Sequence, residues 1–215
     1  MSYSESSLIV TFYTKGAGIQ KYIFQGAKKK NNVIFPLNIC EITYYKRPDS
    51  ELGKLTEAAS IFPLTEIISN PYKSSIAFFM VDVLRQTLQT NQAENELFSF
   101  IEKQIISLNE SKSVSFFPLQ FLVQFTEHIG IFPSLEDNPT YFNLMEGEFH
   151  SLFNSGEVEI HGESCQQLYQ LFLGNNPNPR YKKELLDILL HYYKIHTPRF
   201  DVSNSLEIIE EILKS

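Results

Sequence analysis

Cysteine is scarce in this chain, and other marks of particular protein classes are missing. Its 215 residues include two cysteines, Cys40 and Cys165, too few for a disulfide framework or for a zinc site of four thiolates. The longest purely apolar stretch, Ile76 to Val81, has six residues, whereas a membrane helix needs roughly 20. The first residues lack a basic region before an apolar segment. We therefore expect no membrane span or secretion signal, and a reducing cytoplasm fits best.

Basic and acidic side chains are also unevenly distributed along the chain. The net charge is −7, but residues 1–69 carry eight basic and six acidic side chains, while the remainder carries ten basic and nineteen acidic ones. The sequence therefore predicts a basic amino-terminal module joined to an acidic remainder. Because binding depends on local charge clusters, the net negative charge does not exclude nucleic acid as a ligand.

The first part of the chain has the pattern of short strands. Residues from Leu8 to Tyr13 and from Ile19 to Phe24 are rich in β-branched and aromatic side chains and flank a glycine-containing turn, which predicts a hairpin. A third strand is expected around Leu37 to Tyr45 and a fourth from about Lys54 to Ile61. Closely spaced strands with turn residues between them favour a small barrel or sandwich.

After Pro63 the apolar residues recur at intervals of three and four residues, which is the spacing along one face of an α-helix. A hairpin is expected at Tyr141 to Phe149, within an otherwise irregular stretch. The helical stripes are predicted at 76–84, 97–108, 119–129, 165–173, 181–194 and 203–213. The predicted fold class is therefore α+β, with a strand-rich domain at 1–65 and a helical domain at 66–215.

The residues that carry catalysis in other proteins do not form a recognisable constellation here. His191 and His196 are five residues apart, which does not place them on one helical face as a metal pair requires. The segment Gly16-Ala17-Gly18 lacks the further residues of a dinucleotide or phosphate loop. These residues therefore do not indicate an active site or a metal site.

Basic and aromatic residues alternate in the amino-terminal module. Ammonium groups that follow phosphates, combined with rings that stack on bases, hold single-stranded nucleic acid. Two other interpretations stay open, because alternating aromatics also build barrel cores and a triple-lysine loop can be a solvated turn. The candidate nucleic-acid-binding residues are Lys15, Lys21, Lys28, Lys29, Lys30, Lys46, Arg47 and Lys54, which lie among the aromatic residues Tyr13, Tyr22, Phe24, Phe35, Tyr44 and Tyr45.

An ordered set of segments along nearly the whole chain resembles one known family. The set comprises residues 3–14, 18–22, 26–30, 35–37, 52–58, 74–79 and 192–196. Together these segments resemble RecO, the bacterial recombination and repair mediator, whose amino-terminal domain is an OB fold. The resemblance implies an OB-fold β-barrel followed by an all-helical carboxyl-terminal domain.

The resemblance also implies a function. RecO-type proteins bind single- and double-stranded DNA, anneal complementary strands, and work with RecR to load RecA onto DNA covered by single-stranded-DNA-binding protein. The resemblance then assigns the lysines and Arg47 to phosphate contacts, Tyr22, Tyr44 or Tyr45 to stacking on bases, and the helical domain to protein partners. It implies a non-enzymatic, cytoplasmic, nucleoid-associated protein without a cofactor, and we expect a monomer.

Two departures from the family pattern bear on this expectation. The chain begins almost on the segment that follows the family's first strand, so we expect a four-stranded barrel lacking that strand, unless translation starts further upstream. Many relatives hold zinc with four cysteines in the part corresponding to Ile131 to His161, which has no cysteine here. An incomplete barrel leaves a second hypothesis, a helical protein-interaction adaptor that does not bind DNA.

Replacing Lys28, Lys29 and Lys30 together with glutamine should weaken binding of single-stranded DNA. Each lost phosphate contact lowers the slope of log affinity against log salt by about 0.7, so three contacts lower it by up to about 2. Titrations with a fluorescent oligonucleotide at several salt concentrations measure this slope. An unchanged slope would assign the three lysines to a solvated turn.

Overall fold

Strands form the first part of the chain and helices dominate the rest, as the change of apolar period predicts. The computed structural model describes residues 7–25, 35–88, 93–152 and 159–214. Strands β1 (Ser7–Thr14) and β2 (Gly18–Gln25) form the predicted hairpin, and β3 (Cys40–Tyr45) and β4 (Leu52–Ser60) follow. The predicted α+β class is confirmed.

The four strands form one sheet in the order β1-β2-β4-β3. Pairing is antiparallel between β1 and β2 and between β3 and β4, but it is parallel between β2 and β4. A register shift between Thr43 and Tyr44 interrupts the β3–β4 ladder. Strands β1 and β3 are the two edges, so the described strands do not close the expected barrel.

One face of this sheet carries a small apolar core. Side chains alternate between the two faces of a strand, and the buried residues Tyr22 and Phe24 on β2 face Leu55 and Ala58 on β4. Partly buried side chains of the two edge strands complete this core, namely Leu8, Val10, Phe12 and Ile42. The opposite face, called the outer face below, carries the remaining side chains of each strand.

Gly53 allows the closest approach within this core. It is in register with Tyr22 across the parallel β2–β4 pair. A Cβ atom at Gly53 would lie 2.6 Å from Cδ1 of the Tyr22 ring, which is far inside van der Waals contact. The Tyr22 ring can approach β4 this closely only because residue 53 has no side chain.

Seven α-helices are described, and six of them match the predicted stripes. The unpredicted helix is short α1, whose five residues offer too few turns to show a period. Gly130 has a φ of 74° just after α4, the left-handed conformation expected of a residue that ends a helix. The helices are α1 (Thr65–Ser69), α2 (Pro71–Thr87), α3 (Asn95–Glu110), α4 (Phe117–His128), α5 (Gly162–Phe172), α6 (Lys182–His196) and α7 (Ser203–Lys214). None of these described helices has the length and apolarity required to cross a membrane.

The chain divides into two compact units. The amino-terminal unit consists of Met1–Pro71 with Leu88–Glu110, and the carboxyl-terminal unit of Tyr72–Thr87 with Ser111–Ser215. Helices α1 and α3 thus group with the sheet, whereas the sequence-based division at 65/66 placed every helix in the second domain. That division, as a boundary between independently folding domains, stays a prediction.

Two contacts join α3 to the rest of the amino-terminal unit. The backbone N–H of Ile67 in α1 donates to Oδ1 of Asn109 in α3 over 3.2 Å, and this bond is buried. The ring of Phe98 stacks on Tyr13 of β1, with centroids 6.2 Å apart. The sequence predicts the apolar stripe of α3. It does not predict which elements α3 packs against, because those contacts join residues that are far apart in the chain.

The carboxyl-terminal unit contains a second, smaller sheet in the order β6-β5-β7. Strands β5 (Tyr141–Asn143) and β6 (Glu148–His150) form the predicted hairpin, while β7 (Glu159–His161) was not predicted. The buried ring of Phe142 packs against Phe149, with centroids 4.4 Å apart. The hydroxyl of Tyr192 on α6 donates to the carbonyl of Ile131 over 2.7 Å, which connects this helix to the segment preceding the sheet.

Replacing Gly53 with alanine should destabilise the amino-terminal unit, because the new methyl group overlaps the Tyr22 ring. Overpacking of a core typically costs about 1–3 kcal/mol. Urea unfolding followed by circular dichroism measures the change. Gly16→Ala is the matched control, since nothing lies within 4 Å of a Cβ at that position. Equal stability of the two variants would contradict the packing described here.

Candidate nucleic-acid interface

The alternation of side chains separates the predicted DNA-binding residues onto two faces of the sheet. Tyr22 lies on the core face, where its side chain is 1% exposed. It offers no ring face to a base in this structure, so its proposed stacking role is corrected to a core role. The other two candidate rings are accessible, with Tyr44 47% and Tyr45 64% exposed.

Three candidates converge on the outer face. Lys54 of β4 pairs with Tyr45 of β3 and is in register with Ile23 of β2. Lys21 lies two residues before Ile23 on the same face, in register with Leu52. Lys21, Lys54 and Tyr45 are all exposed, and they form a diagonal row across three neighbouring strands that we call the outer stripe.

Acidic residues occupy the other end of this face. Glu57 of β4 pairs with Thr43, and Glu41 of β3 pairs with Ala59. Both glutamates are exposed and lie further from the β3–β4 turn than the outer stripe does. The outer face is therefore polarised, with its basic end beside the turn that joins β3 to β4.

The remaining described basic candidates lie in turns or at a strand end. Lys15 is exposed in the β1–β2 turn, and Arg47 is exposed just after β3. The turn after β3 also contains exposed Asp49 and Glu51, so its charge is mixed. Lys28, Lys29 and Lys30 lie outside the described residues, and their predicted role stays a prediction.

A second group lies at one end of the core face. The Tyr44 ring packs on the Tyr22 ring with centroids 4.8 Å apart. Burial, with the neighbouring Tyr44 hydroxyl, raises the pKa of Tyr22 to about 12. Nζ of Lys46 donates to Oε1 of Gln20 over 2.6 Å. We call Tyr44, Lys46 and Gln20 the inner group.

Sequence reasoning did not identify Gln20 or Gly53 as residues of this region. Gln20 is an ordinary polar residue of a predicted strand, and Gly53 immediately precedes the predicted fourth strand. Their importance depends on the parallel pairing of β2 with β4. No local pattern specifies that pairing, because the two strands are separated by β3 in the chain.

Side chains that could bind a metal do not cluster in the described part of the chain. Among the described residues, no group of three or more His, Cys, Asp or Glu side chains is placed to hold a metal ion. His150 and Glu159 form a pair, with Nε2 3.2 Å from Oε1. Nδ1 of the same ring lies 2.6 Å from the carbonyl oxygen of Leu152. Both ring nitrogens of His150 thus lie close to oxygen atoms of the protein.

Comparison with protein-family models gives a match to each part of the chain. Residues 1–64 match the model described as "Recombination protein O N terminal". Residues 68–205 match the model described as "Recombination protein O C terminal". The chain belongs to the RecO family. The resemblance inferred from the sequence is therefore confirmed.

Curated relatives agree with this assignment over the full length of the match. The DNA repair protein RecO of Bacteroides fragilis is 28% identical over 232 residues, which covers 99% of this chain and 94% of the relative. The protein of the same name from Phocaeicola vulgatus is 29% identical over 233 residues, with the same coverage. That of Flavobacterium johnsoniae is 26% identical over 223 residues, again with 99% and 94% coverage.

Tyr22→Phe should reduce the loss of stability at alkaline pH. The pKa of Tyr22 is raised from 10.0 to about 12 in the folded protein, so the neutral hydroxyl is favoured there. This contribution is complete below the unfolded pKa of about 10 and is lost as the pH rises through the folded value. Urea unfolding at about pH 9 and about pH 11 measures the difference. Tyr45→Phe, an exposed control, should behave like the wild type; identical pH dependence of all three proteins would contradict the assignment.

Proposed function

We propose that this protein acts in DNA repair and recombination by binding single- and double-stranded DNA and annealing complementary strands. With RecR it would help to load RecA onto DNA coated by single-stranded-DNA-binding protein. Membership of the RecO family supports the role in DNA repair and recombination. The observation that supports the binding step most directly is the convergence of Lys21, Lys54 and Tyr45, all three exposed, on one face of the sheet.

The outer stripe has the chemistry that single-stranded DNA requires. Lys54 and Tyr45 are paired neighbours on adjacent strands, so an ammonium group and an aromatic ring lie side by side. A base stacked on an aromatic ring contributes about 1–3 kcal/mol, and the cation contacts the adjoining phosphate. Neither contact depends on base identity, which suits a protein that must accept any sequence.

Double-stranded DNA would be held by the cations alone, because its bases are already stacked on one another. Contacts with phosphates fix the position of a duplex without reading its sequence. Neutralising phosphates also reduces the repulsion between two complementary strands, and this is the physical contribution we assign to the protein in annealing. The proposal includes no catalytic step and no cofactor.

Partner proteins would bind the helical part of the chain. The carboxyl-terminal unit exposes several large apolar side chains, whose exposure favours protein contacts, namely Phe132, Leu135, Met145, Leu152 and Leu173. RecR and single-stranded-DNA-binding protein are proposed as partners on the basis of family membership. A nucleoid location would follow from binding to chromosomal DNA.

Neutralising the outer stripe should weaken DNA binding measurably. The double replacement of Lys21 and Lys54 with glutamine should lower the salt slope for a single-stranded oligonucleotide by about 1.4, from about 0.7 for each lost contact. Tyr45→Ala should weaken binding by about 1–3 kcal/mol, because one stacked base is lost. Fluorescence anisotropy with a labelled oligothymidylate measures both quantities.

Lys194→Gln serves as the control, because Lys194 is an exposed lysine on α6 of the other unit. It should leave the salt slope unchanged. Equal losses in the control and the stripe variants would show that binding is not located on the outer face. A wild-type protein that binds RecR but no oligonucleotide would instead favour the protein-interaction adaptor.

A further inference from the structure

A chain of hydrogen bonds connects the end of β3 to the β1–β2 turn. Nζ of Lys46 donates to Oε1 of Gln20 over 2.6 Å. Nε2 of Gln20 donates to the carbonyl oxygen of Ala17 over 2.7 Å. Only one orientation of the Gln20 amide satisfies both partners. A flipped amide would place its NH₂ group against the Lys46 ammonium group and its oxygen against the Ala17 carbonyl oxygen.

The turn that receives this amide is itself fixed. The hydroxyl of Thr14 donates to the carbonyl oxygen of Gly18 over 2.9 Å and accepts from the N–H of Ala17 over 3.2 Å. Gln20 is therefore held by a braced turn rather than by a mobile loop tip. A rigid acceptor restricts the position of the Lys46 ammonium group.

Gly53 provides the path by which Lys46 reaches Gln20. Tyr45 pairs with Lys54, so Lys46 follows opposite Gly53 as the two strands diverge. Cβ of Lys46 lies 3.4 Å from the position that a Gly53 Cβ would take. Because Gly53 has no side chain, the aliphatic part of Lys46 can cross β4 toward β2.

An accessible ring lies on the same side of the sheet. Tyr44 is two residues before Lys46, packs on the Tyr22 ring, and keeps 47% of its surface exposed. An ammonium group has three N–H donors, of which Gln20 engages one. Lys46 thus retains the capacity to donate to phosphate oxygens while its position is fixed.

We propose that Gln20 is a positioning residue for DNA binding, which holds Lys46 beside Tyr44 so that the two side chains bind one further nucleotide, apart from the outer stripe. This inference rests on the DNA-binding function proposed above. A neutral amide suits this role, because it fixes the ammonium group without cancelling its charge. A carboxylate at the same position would still accept from Lys46, but it could not donate to the Ala17 carbonyl and would cancel the charge that attracts phosphate.

Four variants test this inference in a double-mutant cycle: Gln20→Ala, Lys46→Gln, the two combined, and Gln20→Glu. Lys46→Gln should lower the slope of log affinity against log salt for single-stranded DNA by about 0.7. A tenfold increase in salt concentration should then weaken binding by a factor that is about five times smaller than in the wild-type protein. Gln20→Glu should lower the slope by a similar amount. Gln20→Ala should weaken binding in the wild-type background and have no further effect once Lys46 is replaced.

Gln25→Ala is the matched control, because Gln25 is an exposed glutamine on the same strand but on the outer face. Its effect should add to that of Lys46→Gln without coupling. Additive effects of Gln20→Ala and Lys46→Gln would overturn the inference while leaving DNA binding itself intact. Loss of binding by the outer-stripe variants, measured in the same titrations, reports separately on the proposed function.

A second readout does not need DNA. The side-chain amide signals of Gln20 in a ¹⁵N–¹H spectrum should shift when Lys46 is replaced with glutamine, whereas those of Gln25 should not. Unshifted Gln20 signals would show that the two side chains are not in contact and would overturn the inference even in a protein that binds oligonucleotides. Failure of the wild-type protein to bind DNA would overturn the proposed function, and with it the nucleotide-binding role of Gln20.

Discussion

The close contact between the Tyr22 ring and Gly53 determines how the rest of the amino-terminal sheet is arranged. It fixes the register of the parallel β2–β4 pair, which joins the β1–β2 hairpin to the β3–β4 hairpin. A slip of one residue would move every side chain of a strand to the opposite face. The faces on which Lys21, Lys54 and Tyr45 lie therefore depend on this contact.

The same contact determines which aromatic rings are buried and which are exposed. The Tyr22 ring is buried in the core, and the partly exposed Tyr44 ring packs against it on one side of the sheet. Tyr45 faces the other side beside Lys54. Basic and aromatic residues that are neighbours in the sequence thus lie on two separate surfaces of the sheet, and we propose that the main contacts with DNA lie on the outer one.

Much of the secondary structure follows from sequence pattern, and the reasons are local. The hairpin of β1 and β2, six helical stripes and the β5–β6 hairpin each have a period or turn signal within a few residues. The burial of Tyr22 could not be predicted, because Tyr22 and Tyr44 occupy similar positions in alternating strands and only the strand order distinguishes them. The role of Gln20 depends on Lys46, which is 26 residues away. The grouping of α3 with the sheet likewise depends on contacts such as Phe98 with Tyr13.

Photochemical cross-linking tests the central claim most directly, because it identifies the residues that touch the bases. A single-stranded oligonucleotide containing 5-bromodeoxyuridine would be irradiated with the full-length protein, and the adducts would be located by peptide mass spectrometry. If the outer stripe binds DNA, adducts should form on Tyr45, with Tyr44 as a second site, and should be lost in the protein that lacks the Lys21 and Lys54 charges. Adducts confined to the carboxyl-terminal unit would contradict that claim.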